Sequence, residues 1–534
     1  MVYLILVTLL LSCFSTAVMS YISMATAIGP WISPTLVLCA YILFKIALQQ
    51  IRTESMIWVV AAGSVGGIVA TAVGFSFPAL YFLDQSLFNS MLAQPFYFAL
   101  FIGVLVLVSG WFGIWIANLL EQRMLADTHL PFPTGQLVYK MIAAGNQYKQ
   151  SLQLLVGALL FVTHAVLQGD IGQLPRLLPS SFSLLSARSL GIIALPSIVL
   201  DMTIVPMLLA IGFVTGHVIA LPLLVGAVGK IILLDPLHTF WFAHITSTEF
   251  SLAFCSGMVL IGAVSSMFYL PKTIYRIIKD IKLKKWSDFE KESLVFTRRY
   301  IIELVLILIL FSFCAWYLQC SALVGLYLLV TTYLCVYNMV YIGAKTGLAY
   351  LGRFATFVMV PAMLLFPLNY TQLICIATFV EIAGGVAVDI LCNRKTAQLA
   401  DVPMKNIIRA QYIGLCLTSL SIGMIFWLLV TTLQLGSPAL CAYKAQARQL
   451  LIHVGHFNYY VLIVGMMCGW LLSKMRINPG MVLGGILMPL NVSLGLIIGG
   501  LVALLVRQKE YWYPFWSGIF AANSIWMLLR AFLT

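Results

Sequence analysis

Apolar stretches of about twenty residues, joined by short polar loops, follow one another along nearly all 534 residues of the chain. A helix crossing a bilayer needs about 20 such residues, so the pattern accommodates about 14–16 passes. The balance of residues agrees: 62% are hydrophobic, 9% are charged and the mean hydropathy is +1.02. Soluble chains average about 25% charged residues, which excludes a water-soluble fold of this length. The longest polar stretch, Pro271 to Arg299, is too short for a separate soluble domain. The expectation is an all-α polytopic membrane protein of about 14–16 transmembrane helices in two related halves, some of them broken or re-entrant. The halves are residues 1–270 and 300–534, separated by a basic loop at 271–299.

The net charge of +13 does not point to nucleic acid in such a chain, because Lys and Arg collect in cytoplasmic loops and set orientation. Nine basic residues lie between Lys272 and Arg299, which places that loop inside. Alternating outward, the segments holding Lys45 and Arg52, Arg123 to Lys149, Lys345 and Arg353, Arg394 to Arg409, and Lys474 and Arg476 also fall inside. That assigns 22 of the 30 basic residues to the cytoplasm. Only Arg176, Arg188, Lys444 and Arg448 are read as outer-loop charges, so the N-terminus is expected in the cytoplasm. The first apolar run has no basic segment before it and reads as a membrane helix rather than a secretory signal. Eleven cysteines lie scattered without a CxxC pair and read as small buried hydrophobes.

One segment breaks the helical pattern: His129-Leu130-Pro131-Phe132-Pro133-Thr134-Gly135-Gln136. Two prolines and a glycine cannot sit inside a lipid-facing helix, since the freed backbone groups find no partner in hydrocarbon. Such breaks are tolerated where they line a protein-walled or water-filled cavity, which is where transporters keep their substrates. A short helix is expected over 131–144. Another break is expected within 481–506, at Pro489 and Asn491. An internal echo, Tyr21 to Thr26 against Tyr341 to Thr346, has three identities in six at an offset of 320. It suggests duplication and leaves the relative direction of the repeats open.

Several segments resemble the oligopeptide transporter family, which includes the yellow-stripe-like metal-chelate carriers. The most specific is Leu130-Pro131-Phe132-Pro133-Thr134-Gly135-Gln136. Similar too are Glu54-Ser55-Met56 through Phe75-Ser76-Phe77-Pro78, Gly212-Phe213-Val214-Thr215-Gly216-His217 leading to Asp235-Pro236, and Asp389 through Gln411-Tyr412-Ile413-Gly414. The resemblance continues in Met488-Pro489, Gly499-Gly500 and Ser517-Gly518-Ile519. It departs at Ala521-Ala522-Asn523, where a Gly-Glu pair is common, and the chain lacks the long tails of eukaryotic members. The resemblance implies a carrier of the prokaryotic branch, with Phe132, Pro133, Thr134, Gly135, Gln136, Gly212 and His217 at the substrate.

A carrier also needs a titratable group whose protonation favours one conformation. Carboxylates within spans are costly and are functional candidates by default. Glu381, followed by Gly384 and Gly385, is the first choice for a proton-coupling site. Asp389, two turns on, is nearer Arg394 and Lys395 and is expected chiefly to partner those cations. Asp201 is read within a span over 189–207 as a further candidate. A helix starting near Thr134 would offer its positive end to an anion. His453 and His456 have chelating spacing, but no cysteine or carboxylate cluster completes a metal set, so they read as interfacial.

The reading is therefore a secondary carrier in the cytoplasmic membrane, a proton-coupled symporter of small peptides or peptide-like metal chelates such as iron–siderophore complexes. Its partners are that solute, protons and membrane lipid, with no cofactor, resident metal or nucleic acid and with the oligomeric state open. The competing class is an integral membrane enzyme acting on lipid or glycan, yet no HExxH, nucleophile elbow or Asp-rich diphosphate site is present. No phosphate-binding GxxxxGK[ST] run is present either, which argues against ATP-driven pumping by this chain.

Overall fold

The computed structural model describes residues 2–26, 29, 32–47, 52–127, 130–143, 147–168, 181–185, 200–203, 206–247, 249–258, 260–261, 293–347, 349, 351–437, 440–453, 458–475, 477, 479–487, 490–507 and 509–533. Their helices in chain order begin with α1 (Val2–Ala25), α2 (Ser33–Ile46), α3 (Thr53–Ser76), α4 (Ala79–Leu83), α5 (Gln85–Leu92), α6 (Pro95–Ala126), α7 (Pro133–Ala143) and α8 (Gln147–Leu167). Next come α9 (Pro206–Thr215), α10 (His217–Gly229), a π-helical turn (Lys230–Leu234), α11 (Asp235–Trp241) and α12 (249–258). The second half holds α13 (Ser293–Tyr317), α14 (Ala322–Thr346), α15 (Leu351–Leu365), α16 (Tyr370–Leu399), α17 (Met404–Thr432) and α18 (Tyr443–Ile452). It ends with α19 (Tyr459–Lys474), α20 (Pro479–Leu487), α21 (Leu490–Leu505) and α22 (Lys509–Leu533).

Among the described residues nine helices are long and apolar enough to cross a membrane, and four shorter apolar helices accompany them. This is an all-α polytopic membrane protein. Helix α7 starts at Pro133, where a proline serves as a first helical residue. The 481–506 stretch is two helices, α20 and α21, with residues 488–489 between them outside the described set. Most of the basic loop is outside it too.

One expected span, 189–207, is not helical over residues 200–203. Leu200–Thr203 is a strand, β2, paired antiparallel with β1 (Ser181–Leu185), and Asp201 lies opposite Ser183. Leu200-Asp201-Met202-Thr203 alternates apolar and polar residues, which is the strand period and not the helical one. Asp201 thus stands on a short ribbon and not inside a membrane helix.

The chain forms two compact units, each drawn from both halves: Met1–Gly145 with Ala263–Ile452, and Asn146–Gly262 with His453–Thr534. In the first unit α16 and α3 are central; the most apolar window of α16 is wholly buried and that of α3 is 89% buried. Helix α13, 11% buried over its window, lies at the edge. A helix apolar all round belongs in an interior or in lipid, and the two cases separate here.

Both units carry an internal two-fold relation. In the first, α1, α2, α3, α6 and α7 recur in order as α14, α15, α16, α17 and α18. Phe132, just before α7, and Ala442, just before α18, both have left-handed backbones (φ 47° and 49°). Phe132 N–H donates to the Ala344 carbonyl at 2.8 Å, and Ala442 N–H donates to the Met24 carbonyl at 2.7 Å. Met24 and Ala344 hold the same place in the 21–26 and 341–346 echo. Equivalent helices run antiparallel: Ser64 and Ser76 on α3 meet Asp389 and Glu381 on α16 in reversed order. Gly103 and Gly423 pack α6 and α17 the same way, against the carbonyls of Ser419 and Ala99. The repeats are therefore inverted, with their axis across the helices.

The second unit repeats the rule with α8, α9, α10 and α12 against α19, α20, α21 and α22. A Cβ on Gly157 or Gly518 would run into the Phe515 or Leu154 carbonyl. The related positions Gly465 and Gly257 meet Phe254 and Leu462. Likewise Gly212 and Gly499 meet Leu496 and Leu209, while Gly485 and Gly226 meet Leu223 and Val482. Phe254-Cys255-Ser256-Gly257 and Phe515-Trp516-Ser517-Gly518 are the matching sequences. Glycine at such crossings lets membrane helices approach to backbone contact, where close packing supplies the attraction. Gly157→Ala and Gly465→Ala are each expected to cost about 1–3 kcal/mol and to lower the thermal midpoint in detergent by similar amounts. Gly229→Ala, whose Cβ meets nothing within 4 Å, should leave that midpoint unchanged or slightly higher.

Candidate functional site

The polar groups of the first unit gather along α16. This helix is buried yet carries Glu381, Asp389, Asn393, Arg394 and Thr396, with exposures of 0–3%. Groups of this kind cost several kcal/mol apiece to bury unless each finds a partner. Each of these does.

Near its middle, Glu381 Oε1 is 2.8 Å from Arg448 Nη2 of α18. The Ser76 hydroxyl of α3 donates to the other carboxylate oxygen and accepts from Arg448 Nη1. A Cβ on Gly352 of α15 would lie 3.6 Å from Glu381 Oε1. Lys444, one turn before Arg448 on α18, places its ammonium 5.6 Å from the centre of the Phe75 ring. Three elements thus close on one carboxylate.

Two turns further along α16, Asp389 Oδ2 accepts from the Ser64 hydroxyl at 2.7 Å and from the Asn393 amide at 3.0 Å. The Asn393 amide also donates to Ser64 Oγ at 2.8 Å. Among the described residues no basic side chain contacts Asp389. The expectation that it partners Arg394 and Lys395 is corrected: Arg394 turns to the opposite side of α16. There it meets Glu121 at 2.7 Å, Asn118 at 2.6 Å and Gln411 at 3.1 Å. Lys395 donates to Gln398 and to the Leu125 carbonyl. The helical period explains the difference, since residues five or six apart point to different faces.

At the C-terminal end of α16, the Thr396 hydroxyl donates to the Gly135 carbonyl of α7 at 2.9 Å. A Cβ at Gly135 would stand 2.5 Å from the Cys392 carbonyl, so α7 lies on α16 only because that residue is glycine. Phe132 (1% exposed) and Thr134 (8%) are buried and Gln136 is half-buried, while Pro133 is exposed. Pro131 is exposed as well, so the break is buried on the side of Phe132, Thr134 and Gly135 and open on the side of its prolines.

Gly212, His217 and Asp201 belong to the second unit, and Glu303 to the first. Gly212 packs on α21, His217 opens α10 after Gly216 (φ 69°), and Asp201 lies on β2. Glu303 accepts from the Tyr412 hydroxyl at 3.3 Å. Residues 454–457, including His456, lie outside the described set.

Arg448 and Lys444 were read as outer-loop charges; they sit instead on α18 against α3 and α16. The ten-residue α18 mixes Lys, Arg and Gln with Ala and Leu and does not look like membrane-buried helix. Ser76, Ser64 and Asn118 were also missed, because a lone serine or asparagine in an apolar run carries no signal of its own. Removing one partner of a buried ion pair strands the other, at about 3–5 kcal/mol. Arg448→Met is expected to destabilise on that scale, and adding Glu381→Gln should restore part of the loss. Asp389→Asn keeps an acceptor for Ser64 and Asn393 and should cost no more than about 1 kcal/mol. Thermal unfolding in detergent compares the three.

The family model of the OPT oligopeptide transporter protein matches residues 2–534. No curated protein matches the chain. With a match over essentially its whole length and a helical membrane fold, the chain belongs to the OPT oligopeptide transporter family and is a multi-pass membrane transporter.

Proposed function

We propose that the protein is a proton-coupled symporter of small peptides or peptide-like metal chelates, iron–siderophore complexes among them, in the cytoplasmic membrane. The observation that carries the coupling is Asp389, a buried carboxylate whose partners, Ser64 and Asn393, are both neutral. Protonating it breaks no ion pair, whereas protonating Glu381 breaks the bond to Arg448. Asp389 is thus the proton carrier, and Glu381 is held by Arg448. Both carboxylates face α3, so each reports on the same α3–α16 contact, which is the kind of element a bound proton can bias.

The segment Phe132–Gln136, where the chain breaks before entering α7, forms the wall of the solute's route on that side. Gly212 and His217 are substrate candidates on the family resemblance alone. Asp201, on its ribbon, is a lesser candidate than the α16 carboxylates. The excess of basic residues in alternate loops supports a cytoplasmic N-terminus.

Protein reconstituted in liposomes is expected to accumulate a labelled tripeptide or iron chelate when the proton gradient points inward. In Asp389→Asn the gradient should no longer drive accumulation, while exchange of internal for external solute continues. Full gradient-driven accumulation in that variant would remove Asp389 from the coupling role.

A further inference from the structure

The charges around α18 do not balance. Lys444 and Arg448 are four residues apart and so share a face. Both lie by the C-terminal end of α3, at Phe75 and Ser76, and a single carboxylate, Glu381, answers them. The Lys444 ammonium has no hydrogen bond or ion pair among the described residues. Arg448 is 6% exposed, yet its Nε–H has no acceptor among the described residues. A buried donor left unpaired costs about 1–3 kcal/mol, and more where it is charged. The arrangement is unfavourable in two further ways. Lys444 is the second residue of α18, where a cation opposes the helix dipole. Like charges one turn apart also repel.

The internal two-fold sharpens the point. Counting from Phe132 and Ala442, the α7 positions matching Lys444 and Arg448 are Thr134 and Val138, which are uncharged. The cationic pair is therefore peculiar to α18 and is not demanded by the repeat. An anionic group supplied from outside would satisfy the free donors, neutralise the extra charge and suit the helix start.

We infer that Lys444 and Arg448, at the break that opens α18, form a binding site for a carboxylate of the transported solute. The inference rests on the transport reading for the identity of its ligand, since a peptide C-terminus and the carboxylates of a chelate share this chemistry. Arg448 then has two claimants, Glu381 and the solute, which links arrival of the solute to release of Glu381.

The test uses the full-length protein in detergent and follows thermal stabilisation by trialanine, trialanine amide and ferric citrate. Trialanine should half-saturate at a concentration about tenfold or more below that of its amide. In Lys444→Met that preference should vanish, and in Lys444→Arg it should return. Stabilisation by ferric citrate alone, lost in Lys444→Met, supports the site with a chelate as its ligand. Equal response to trialanine and its amide, an unchanged preference in Lys444→Met, or no stabilisation by any of the three overturns it. Uptake into liposomes separates this from the transport reading. Uptake without carboxylate preference removes the site and leaves transport standing; carboxylate-selective stabilisation without uptake does the reverse.

Discussion

Burying charge in a membrane protein is tolerated only when geometry supplies partners, and in this chain the antiparallel contact of α3 with α16 is that geometry. It brings Ser64 to Asp389 and Ser76 to Glu381, so that each carboxylate meets a hydroxyl from the facing helix. Without the serines, Asp389 would keep one donor and Glu381 only its arginine. The same contact sets the position of α18, because Ser76 also accepts from Arg448. Small residues make the approach possible: Gly384 and Gly385 leave room for Met339 on one side and for Ile68 of α3 on the other.

The scaffold is two-fold while its chemistry is not. The helix order, the left-handed residues before α7 and α18 and the paired glycine crossings all repeat. The carboxylates Glu381 and Asp389 and the cations Lys444 and Arg448 all come from the second half. Inverted repeats let a carrier present one site to either side by exchanging the conformations of its halves. On the proposed coupling, asymmetric charge on a symmetric frame would make the two states distinguishable to a proton or an anion, because a ligand equally bound by both states shifts neither.

Much of the frame was legible in the residues. The apolar runs mark the spans, and Pro131-Phe132-Pro133 marks the break before α7, since proline removes a donor that hydrocarbon cannot replace. The echo of Tyr21–Thr26 in Tyr341–Thr346 marks where each first helix anchors the other half's break, through Met24 and Ala344. The matching break before α18 was not legible. Leu440-Cys441-Ala442-Tyr443 holds no proline or glycine, and Ala442 keeps its left-handed backbone, at about 1–2 kcal/mol, because the Met24 carbonyl receives its N–H. The direction of the repeats was hidden for a different reason: it depends on which helices touch, and six residues cannot encode that. Asp201 was placed in a helix because the apolar residues around it read as a span, while the strand alternation covers only Leu200–Thr203. Arg394, Lys444 and Arg448 misled because a count of basic residues treats each as solvated, whereas they sit against the half-buried Glu121, the Phe75 ring and the buried Glu381.

One helix joins the two breaks. Thr396 ties α16 to Gly135 of α7, and Glu381 ties it to Arg448 of α18. The fifteen residues between them span about 22 Å of helix at the α-helical rise. Asp389 lies between these ends and bonds to α3 alone among the other helices. A displacement of α16 against α3 large enough to part Ser64 from Asp389 must also strain Ser76 against Glu381, since both contacts are on the same pair of rigid rods. On the proposed coupling, a proton on Asp389 would weaken the first contact from the inside, and an anion on Arg448 would weaken the second. Either event would lower the cost of the other by loosening one shared interface, which is the thermodynamic content of coupling. Because the two groups do not touch, the interface would have to carry that coupling, and substitutions such as Gly385→Leu that alter it without touching either site would then change the coupling too.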